Sequence, residues 1–340
     1  MRTRSFFALV LVTVLLVAAA GYALMTGDRA ASAPPPGRLA LPGLAAKLGD
    51  LAWMRLSHGQ TNIDFAAIGG RWAVVEKGNY PADQAKIRRV LLGLADLTVL
   101  EPKTERPALF SRLGLDDPSN GRSTEITVQD RTGATLGALI VGKRRDDRLG
   151  GGEPAVYIRK PGEERTWLAR GALDLFGEAV SWLDRRIIDI PADRLALVTL
   201  TAPDGKALVL KRESQASVFK VADPPDDATL KSQAAIAAPG SALAGLDLDD
   251  VRPAAEMPVP GDGVATASFQ TFEGLKIDGR LFTRDGVDWL ALDASGSGAA
   301  EAEANALHAK LAAWVYAVPA PRAKLLRTAI SDLIEPAKGS

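Results

Sequence analysis

The stretch Phe6–Leu24 reads FFALVLVTVLLVAAAGYAL and contains no charged residue. A helix needs about 20 consecutive apolar residues to cross the hydrocarbon core of a bilayer, so this stretch is long enough to span one. Arg2 and Arg4 precede it, and no basic cluster follows it directly. The positive-inside rule then keeps residues 1–5 in the cytoplasm. The sequence predicts an N-terminal transmembrane anchor within residues 1–24, a single pass through the inner (cytoplasmic) membrane, and a body in the periplasm.

A cleaved secretory signal is the alternative interpretation of the same residues. Such signals have an apolar core of about 7–15 residues followed by a small-x-small cleavage site. The apolar run here is longer, although the sequence Ala18-Ala19-Ala20 offers one cleavage site. The sequence Ala31-Ser32-Ala33 offers a poor one, because Pro34 follows it. We expect an uncleaved anchor, and a cleaved, soluble product remains the alternative.

The composition of the 340 residues limits the classes of function. Hydrophobic residues make up 47% and charged residues 24%, as in globular proteins, and the length allows two domains after the anchor. Lysine plus arginine and aspartate plus glutamate both number 41, so we expect no basic face and no nucleic-acid partner. The chain has no cysteine and only two histidines, which excludes disulfides and thiolate metal sites and restricts acid–base chemistry.

A proline-rich segment separates the anchor from the body. Residues 25–46 include Pro34-Pro35-Pro36 among small residues, a composition that favours an extended spacer. Short strand-like runs with glycine turns follow, and Pro81-Ala82-Asp83 then opens a helix. Apolar residues at helical spacing predict two helices: Ile87, Val90, Leu91, Leu94 and Leu97 in one, Leu173, Phe176, Val180 and Leu183 in the other. Predicted strands are Ala52–Ser57, Ile63–Ile68, Trp72–Val75, Glu125–Gln129, Thr135–Val141, Ala155–Arg159 and Thr166–Ala169.

The pattern starts again near Arg194, about 145 residues later. Trp72 then corresponds to Phe219 and Asp83 to Asp226, which indicates a degenerate internal duplication. Strand clusters joined by tight turns and closed by amphipathic helices predict an α+β fold of antiparallel sheets. We expect two similar units, residues 47–190 and 191–340. The second pass predicts strands at Leu195–Thr201, Ala207–Lys211, Val218–Val221, Ala265–Phe272, Leu275–Thr283 and Val287–Leu292. It also predicts a weak helical stretch from Ala228 towards Leu248, interrupted around Pro239-Gly240. C-terminal helical stripes are predicted at Ala304, Leu307, Leu311 and Trp314 and at Leu326, Ile330 and Leu333.

Several motifs occur in order along residues 47–335: Arg71-Trp72-Ala73-Val74, Tyr80-Pro81-Ala82-Asp83, Leu113-Gly114-Leu115-Asp116-Asp117-Pro118, Ile140-Val141-Gly142-Lys143, Ala155-Val156-Tyr157-Ile158, Ser181-Trp182-Leu183-Asp184-Arg185 and Trp314-Val315-Tyr316-Ala317-Val318-Pro319. Their order resembles domain-of-unknown-function family 4340, with Phe219 as a departure where the second unit would prefer tryptophan. The resemblance implies a single-anchor exported protein, of a kind often encoded beside ABC-type export permeases and a gliding-motility auxiliary component. It therefore implies a class of partner and transfers no catalytic residues.

Two basic segments are candidate binding sites. The spacing from Gly137 to Gly142-Lys143 imitates a phosphate-binding loop, but Arg144 replaces the required hydroxyl. The intervening Ala138–Val141 is an apolar strand, so we expect no nucleotide to bind. The charged run Lys143–Arg148, before three glycines, predicts a solvated hairpin tip. A partner or phospholipid contact is its alternative function.

Neither histidine predicts catalysis. His58 lies in a predicted turn, with Asp64 as a potential orienting acid, but no activated serine or cysteine accompanies it. His308 lies beside an apolar helical stripe, and no carboxylate lies one helical turn away from it. We expect both to be surface residues, and two isolated histidines do not form a zinc site.

The acidic and aromatic residues have ordinary structural explanations. The acids Asp226, Asp227, Asp247, Asp249 and Asp250 lack the spacing of a calcium loop. The tryptophans Trp53, Trp72, Trp167, Trp182, Trp289 and Trp314 each lie in an apolar pattern, which favours core packing over a sugar-stacking platform.

The sequence thus predicts no catalytic, cofactor-binding or metal-ligating residue. We expect a non-enzymatic, membrane-anchored periplasmic accessory or scaffold protein, associated with an ABC-type transporter or a gliding-type envelope complex. A glycan- or envelope-polymer-binding module is the alternative. An exported hydrolase that uses His58 or an acidic pair is a third hypothesis.

Overall fold

The structure, a computed structural model, describes residues 37–145, 154–175, 177–226 and 228–335. It has an α+β fold of long antiparallel strands with few helices, as the sequence predicts. The predicted anchor and residues 25–36 of the predicted linker lie outside the described residues. Within the described ranges, no helix combines the length and the apolar character that a bilayer crossing requires.

Nineteen strands and five α-helices are assigned in the described residues. The strands are β1 (Leu51–His58), β2 (Thr61–Ile68), β3 (Arg71–Val74), β4 (Tyr80–Pro81), β5 (Thr98–Pro102), β6 (Thr124–Asp130), β7 (Thr135–Arg145), β8 (Ala155–Arg159), β9 (Thr166–Arg170), β10 (Arg186–Ile188), β11 (Leu195–Thr201), β12 (Ala207–Lys211), β13 (Lys220–Val221), β14 (Leu246–Asp247), β15 (Asp250–Pro253), β16 (Ala265–Thr271), β17 (Leu275–Arg284), β18 (Val287–Gly296) and β19 (Trp314–Ala317). The helices are α1 (Gln84–Asp96), α2 (Phe110–Leu113), α3 (Gln233–Ala237), α4 (Glu301–Leu311) and α5 (Ala320–Leu326).

The described chain divides into two compact units, residues 37–62 with 88–175 and residues 63–87 with 177–335. In the first unit, six antiparallel strands lie in the order β1-β6-β7-β8-β9-β5. Residues on one face of β6, such as Ile126 and Val128, are buried, and this alternation is the period-2 pattern of a half-buried strand.

The chain enters the first unit along strand β5. The carbonyl oxygen of Arg38 accepts a hydrogen bond from the N–H of Val99 at 2.8 Å, and the N–H of Ala40 donates to Leu97 at 2.7 Å. Leu44, a few residues later, is only 1% exposed. The last residues of the predicted linker therefore pack against the body, because their leucines bury apolar surface that the upstream prolines cannot supply.

In the second unit, eight strands lie in the order β13-β12-β11-β16-β17-β18-β19-β15. Strands β17 and β18 form the longest pairing, from Leu275 opposite Gly296 to Arg284 opposite Val287. Asp285 and Gly286 join them, with φ angles of 54° and 75°. Two positive φ angles suit a two-residue turn whose twist matches the strands, which explains why Asp-Gly occupies it.

Strands β2 to β4 cluster with the second unit and bring two segments of it together. Ala82 forms an antiparallel bridge with Leu183, and the N–H of Asp83 donates to the carbonyl oxygen of Trp182 at 2.7 Å. Trp182 is fully buried, with its ring edge-on to Phe65 at 5.2 Å. The motifs around residues 80–83 and 181–185 thus meet in the core of this unit.

Helix α1 is confirmed, and its apolar stripe from Ile87 to Leu94 is buried. The helix predicted from Leu173 to Leu183 is wrong. Gly177, inside the predicted helix, has a φ angle of 119°, which a helical backbone excludes, and Ala179–Trp182 forms a short 3-10 turn instead. Phe176 lies outside the described residues.

Other predicted helices are shorter than the sequence indicates. Within Ala228–Leu248 only α3 is an α-helix, and a 3-10 turn follows it at the interruption predicted around Pro239-Gly240, where Pro239 has no N–H to donate. Trp314 does not continue the stripe of α4 but begins strand β19. Helix α5 ends at Leu326, and Ile330–Leu333 forms a separate 3-10 turn.

Gly142 in strand β7 is required by a close backbone approach. A Cβ atom at this position would lie 2.5 Å from the carbonyl oxygen of Leu113 and 2.7 Å from that of Gly114. Such distances are well inside van der Waals contact. Gly142 of the Gly142-Lys143 pair is therefore explained by the close packing of strand β7 against the backbone of residues 113–114.

We predict that Gly142→Ala lowers the free energy of unfolding by about 1–3 kcal/mol, because the added methyl group overpacks the strand against fixed carbonyl groups. Urea unfolding followed by circular dichroism measures the change. Gly49→Ala is the matched control, since nothing lies within 4 Å of a Cβ atom there. Equal unfolding midpoints for the two variants would contradict the packing argument.

Candidate ligand-binding cavity

The basic segments of the sequence lie in strand β7. The strand predicted for Ala138–Val141 is confirmed, and it runs on through Lys143 to Arg145. The ammonium of Lys143 donates to the carbonyl oxygen of Arg112 at 3.0 Å. The rest of the predicted hairpin tip, residues 146–153, lies outside the described residues.

His58 is the last residue of β1, directly before the turn at Gly59, and it is exposed. Its ring nitrogen Nδ1 lies 2.9 Å from the carbonyl oxygen of Ser123 and 3.3 Å from the hydroxyl of Thr124. The backbone N–H of Asp64, the potential orienting acid, donates to the carboxylate of Glu76 at 2.8 Å. His58 therefore contacts backbone and hydroxyl oxygens of its own unit.

His308 is exposed, as predicted, but it has a carboxylate partner from outside its own helix. Its Nδ1 lies 2.6 Å from Oδ1 of Asp293 in strand β18, packed beside helix α4. Asp293 comes from a strand, so it is not among the helical neighbours of His308 that the sequence shows. The hydrogen bond with His308 holds the pKa of Asp293 below its usual range, so the carboxylate stays ionised.

Three of the acidic residues that could suggest a calcium site pair with separate cations. Asp247 accepts from Arg186 at 2.6 Å, Asp249 from Arg185 at 3.3 Å, and Asp250 from Lys77 at 2.5 Å. Asp226 is exposed, and Asp227 lies outside the described residues. In the part of the chain that the structure describes, no group of three or more His, Cys, Asp or Glu side chains is placed to hold a metal ion.

The six tryptophans fall into two groups. Trp182 and Trp289 are buried, at 0% and 6% exposure, and belong to the core. The half-buried ones are Trp53, Trp72, Trp167 and Trp314. Of these, Trp167 and Trp314 each line a cavity. Several cationic side chains also line the cavity of Trp167.

The Trp167 cavity lies within the first unit and has a volume of about 260 Å³. Trp167 in β9 stands opposite Ile158 in β8 and opposite Pro102 in β5. This register places an indole ring beside aliphatic side chains from neighbouring strands. The apolar lining consists of Leu39, Ala40, Val99, Leu139 and Ile158.

Four charged side chains also line this cavity: Arg38, Lys160, Glu163 and Arg165. Arg165 is held by the carboxylate of Glu105, and its guanidinium lies 5.6 Å from the centre of the Trp167 ring. Lys160 and Glu163 are 3.9 Å apart. Arg165 also lines a neighbouring, more polar cavity of about 490 Å³. Three cations and one carboxylate beside an aromatic ring can bind a small anion that has an apolar face.

Sequence reasoning missed most of this site. It assigned Arg38 to the linker and gave no role to Lys160 or Arg165, which flank a hairpin turn. The available signal was local: a Pro-Gly turn between two basic residues, with a tryptophan two residues after the second of them, in the strand. That signal indicates an exposed aromatic beside cations, but it does not indicate a cavity.

Comparison with known proteins places the chain in a family. Residues 72–261, more than half of the sequence, match the family model described as domain of unknown function DUF4340. The chain belongs to this family. Comparisons with curated proteins and with solved structures gave no significant match. Within the DUF4340 match lie Lys160, Arg165 and Trp167, whereas Arg38 precedes it.

We predict a pH-dependent contribution of Asp293 to stability. Because its pKa is lowered in the folded state, its contribution is present above the unfolded value, about 3.9, and is lost as the pH falls through the folded value. Both partners are more than half exposed, so the expected effect of Asp293→Asn at pH 7 is less than about 1 kcal/mol.

Urea unfolding at pH 7 and pH 2.5 measures this effect. The difference between Asp293→Asn and the unchanged chain should shrink at the lower pH, because protonation of Asp293 progressively removes the charge that pairs with His308. Asp262→Asn, in an exposed loop, controls for the general loss of one carboxylate. A difference of the same size at both pH values would exclude the charged pair as its cause.

Proposed function

We propose that this member of the DUF4340 family is a non-enzymatic, membrane-anchored accessory or scaffold protein of the periplasm, and that its partner is an ABC-type permease or an auxiliary envelope protein. The observation that carries the proposal is the packing of the chain against the first unit from Arg38 onward. Only residues 25–37 then separate the predicted anchor from the body.

The short tether limits how far the body reaches from the membrane. Residues 25–37 include three consecutive prolines, and an extended proline-rich segment spans about 3.1 Å per residue, or about 40 Å in all. A body held at this distance meets membrane proteins at a high effective concentration. The proposal therefore needs only a weak contact between the body and its partner.

We also propose that the body arose by internal duplication. Six strands of the first unit lie in the order β1-β6-β7-β8-β9-β5, and six of the second lie in the order β11-β16-β17-β18-β19-β15. Each strand of one series has its counterpart at the same place in the other. Leu51 and Leu195, which begin β1 and β11, are 144 residues apart, in agreement with the offset in the sequence.

We predict that the tagged full-length protein, solubilised from its native membrane, recovers permease or envelope-complex subunits. A variant whose residues 1–24 are replaced by a cleavable signal should recover them poorly, because it loses the effective concentration that the anchor provides. Quantitative mass spectrometry of crosslinked, purified material measures the difference. Repeated recovery of the full-length protein alone, or its release from membranes by alkaline washing, would contradict the proposal.

Binding of an envelope polymer is the second candidate function, and the Trp167 cavity favours it. A half-exposed indole beside an apolar floor offers a stacking surface for a sugar ring, and the charged rim offers hydrogen-bonding groups. Trp289 cannot provide this surface, because it is buried with Phe282 and Val315 in the core of the second unit.

We predict that Trp167→Ala weakens sedimentation of the full-length protein with peptidoglycan or envelope polysaccharide by about threefold to tenfold, since the stacking surface is lost. Trp53→Ala is the matched control: Trp53 is also half-buried in a strand of the first unit, but it does not line the cavity. Equal loss in both variants would indicate damage to the fold, and no loss in either would exclude the cavity as the binding site.

A further inference from the structure

The Trp167 cavity presents three kinds of surface to a ligand. Its floor is aliphatic, one wall is the indole ring, and its rim holds Arg38, Lys160, Arg165 and Glu163. A purely apolar ligand would leave Arg38 without a partner, and a simple inorganic anion would leave the floor and the ring uncovered. The complementary ligand has an apolar face and an anionic group on the same small body.

Arg38 is the cation best prepared to bind an anion. Its backbone is fixed, because its carbonyl oxygen accepts a hydrogen bond from Val99 and the adjacent Leu39 forms a bridge with Thr98. Its guanidinium has no hydrogen-bond or ion-pair partner among the described residues. A guanidinium presents paired N–H donors that match the two oxygens of a carboxylate or phosphate. Anchoring of the backbone reduces the entropy lost when the side chain binds.

The other rim charges leave room for a ligand. Lys160 and Glu163 are 3.9 Å apart, which is too long for a direct hydrogen bond, so the ammonium keeps its donors available. Arg165 is committed to Glu105 and lies over the ring of Trp167. Glu163 then supplies acceptor oxygens at the rim, where hydroxyl groups of a ligand can donate.

The cavity volume selects the size of the ligand. At about 260 Å³, the cavity is smaller than the range of about 300–1,000 Å³ that encloses a whole drug-sized molecule. It accommodates one ring-sized unit rather than an acyl chain. A sugar ring fits this description, because one face carries C–H groups and its edge carries hydroxyls.

We propose that the Trp167 cavity binds a single anionic sugar unit of an envelope polysaccharide. The carboxylate or phosphate of the sugar pairs with Arg38 and Lys160, the C–H face covers Trp167, and a hydroxyl donates to Glu163. The inference rests on the polymer-binding function proposed above and names its ligand class. It does not depend on the membrane partner.

Calorimetric titration of the full-length protein in detergent with oligogalacturonate tests this inference. We expect binding that weakens as salt is added, and none of comparable strength to the fully methyl-esterified oligomer, which keeps the rings but lacks the charge. Arg38→Ala combined with Lys160→Ala should weaken binding about tenfold or more, because two hydrogen bonds to a charged group are lost. Glu163→Gln should bind at least as tightly, because the amide oxygen still accepts from the hydroxyl while the charge that repels the anion is removed.

Arg131→Ala is the matched control, since Arg131 is exposed in the turn after β6, outside the cavity. It should bind as the unchanged protein does, and all variants should unfold at the same urea concentration. Glucose 6-phosphate and inorganic phosphate, added as competitors, distinguish a phosphorylated sugar from the free anion. Displacement by inorganic phosphate alone at the same concentration as the sugar phosphate would overturn the role of the ring.

Other outcomes separate this inference from the functions proposed above. Equal binding of the acidic and methyl-esterified oligomers, with loss in Trp167→Ala, would overturn the anionic ligand and retain polymer binding. Displacement of the oligomer by short-chain phosphatidylglycerol, but not by glucose 6-phosphate, would assign the cavity to a lipid headgroup. If the Arg38→Ala, Lys160→Ala variant no longer binds the oligomer but still recovers the membrane partners, the accessory function does not depend on the cavity.

Discussion

The second unit depends on the antiparallel contact between residues 81–83 and residues 182–184, which lie far apart in the chain. The N–H of Asp83 donates to Trp182 at 2.7 Å, and the N–H of Asp184 donates to Pro81 at 2.9 Å. Bringing such distant segments together costs loop-closure entropy, which the buried ring of Trp182 and these hydrogen bonds offset. The two DUF4340-like motifs that meet here are therefore explained by folding and need no catalytic role.

The environment of Trp182 indicates that shape, rather than hydrogen bonding, keeps this residue in place. Its Nε1 is buried without a hydrogen-bond partner among the described residues, which costs about 1–3 kcal/mol. Burial of the large ring against Phe65 stabilises the site, and the ammonium of Lys86 lies 3.9 Å from the ring centre. A smaller aromatic residue would leave a cavity in the core. The aromatic contact of Tyr80 with Trp314, at 5.0 Å, extends the same packing.

The sequence predicted strands better than helices, for a physical reason. The β17–β18 hairpin is local, since two alternating strands flank Asp285-Gly286 and the turn itself fixes the register. Helix α1 has an unbroken stripe of buried residues. The apolar residues from Leu173 to Leu183 have the same spacing, and Leu173 and Leu183 are indeed buried, but the intervening glycine adopts a backbone that a helix excludes. The spacing of apolar residues therefore indicates which side chains are buried, but it does not determine the backbone conformation.

The Trp167 cavity could not be predicted in the same way, because its wall is built by tertiary pairing. Composition assigns Arg38 to a proline-rich spacer, yet its carbonyl oxygen is bound to Val99 and the following residues extend the edge of β5. Arg38 thus has two roles among the described residues: its side chain completes the rim of the cavity, and its backbone pairs with the edge of β5. Neither role is visible in the sequence, because both depend on a strand that lies about 60 residues further along the chain.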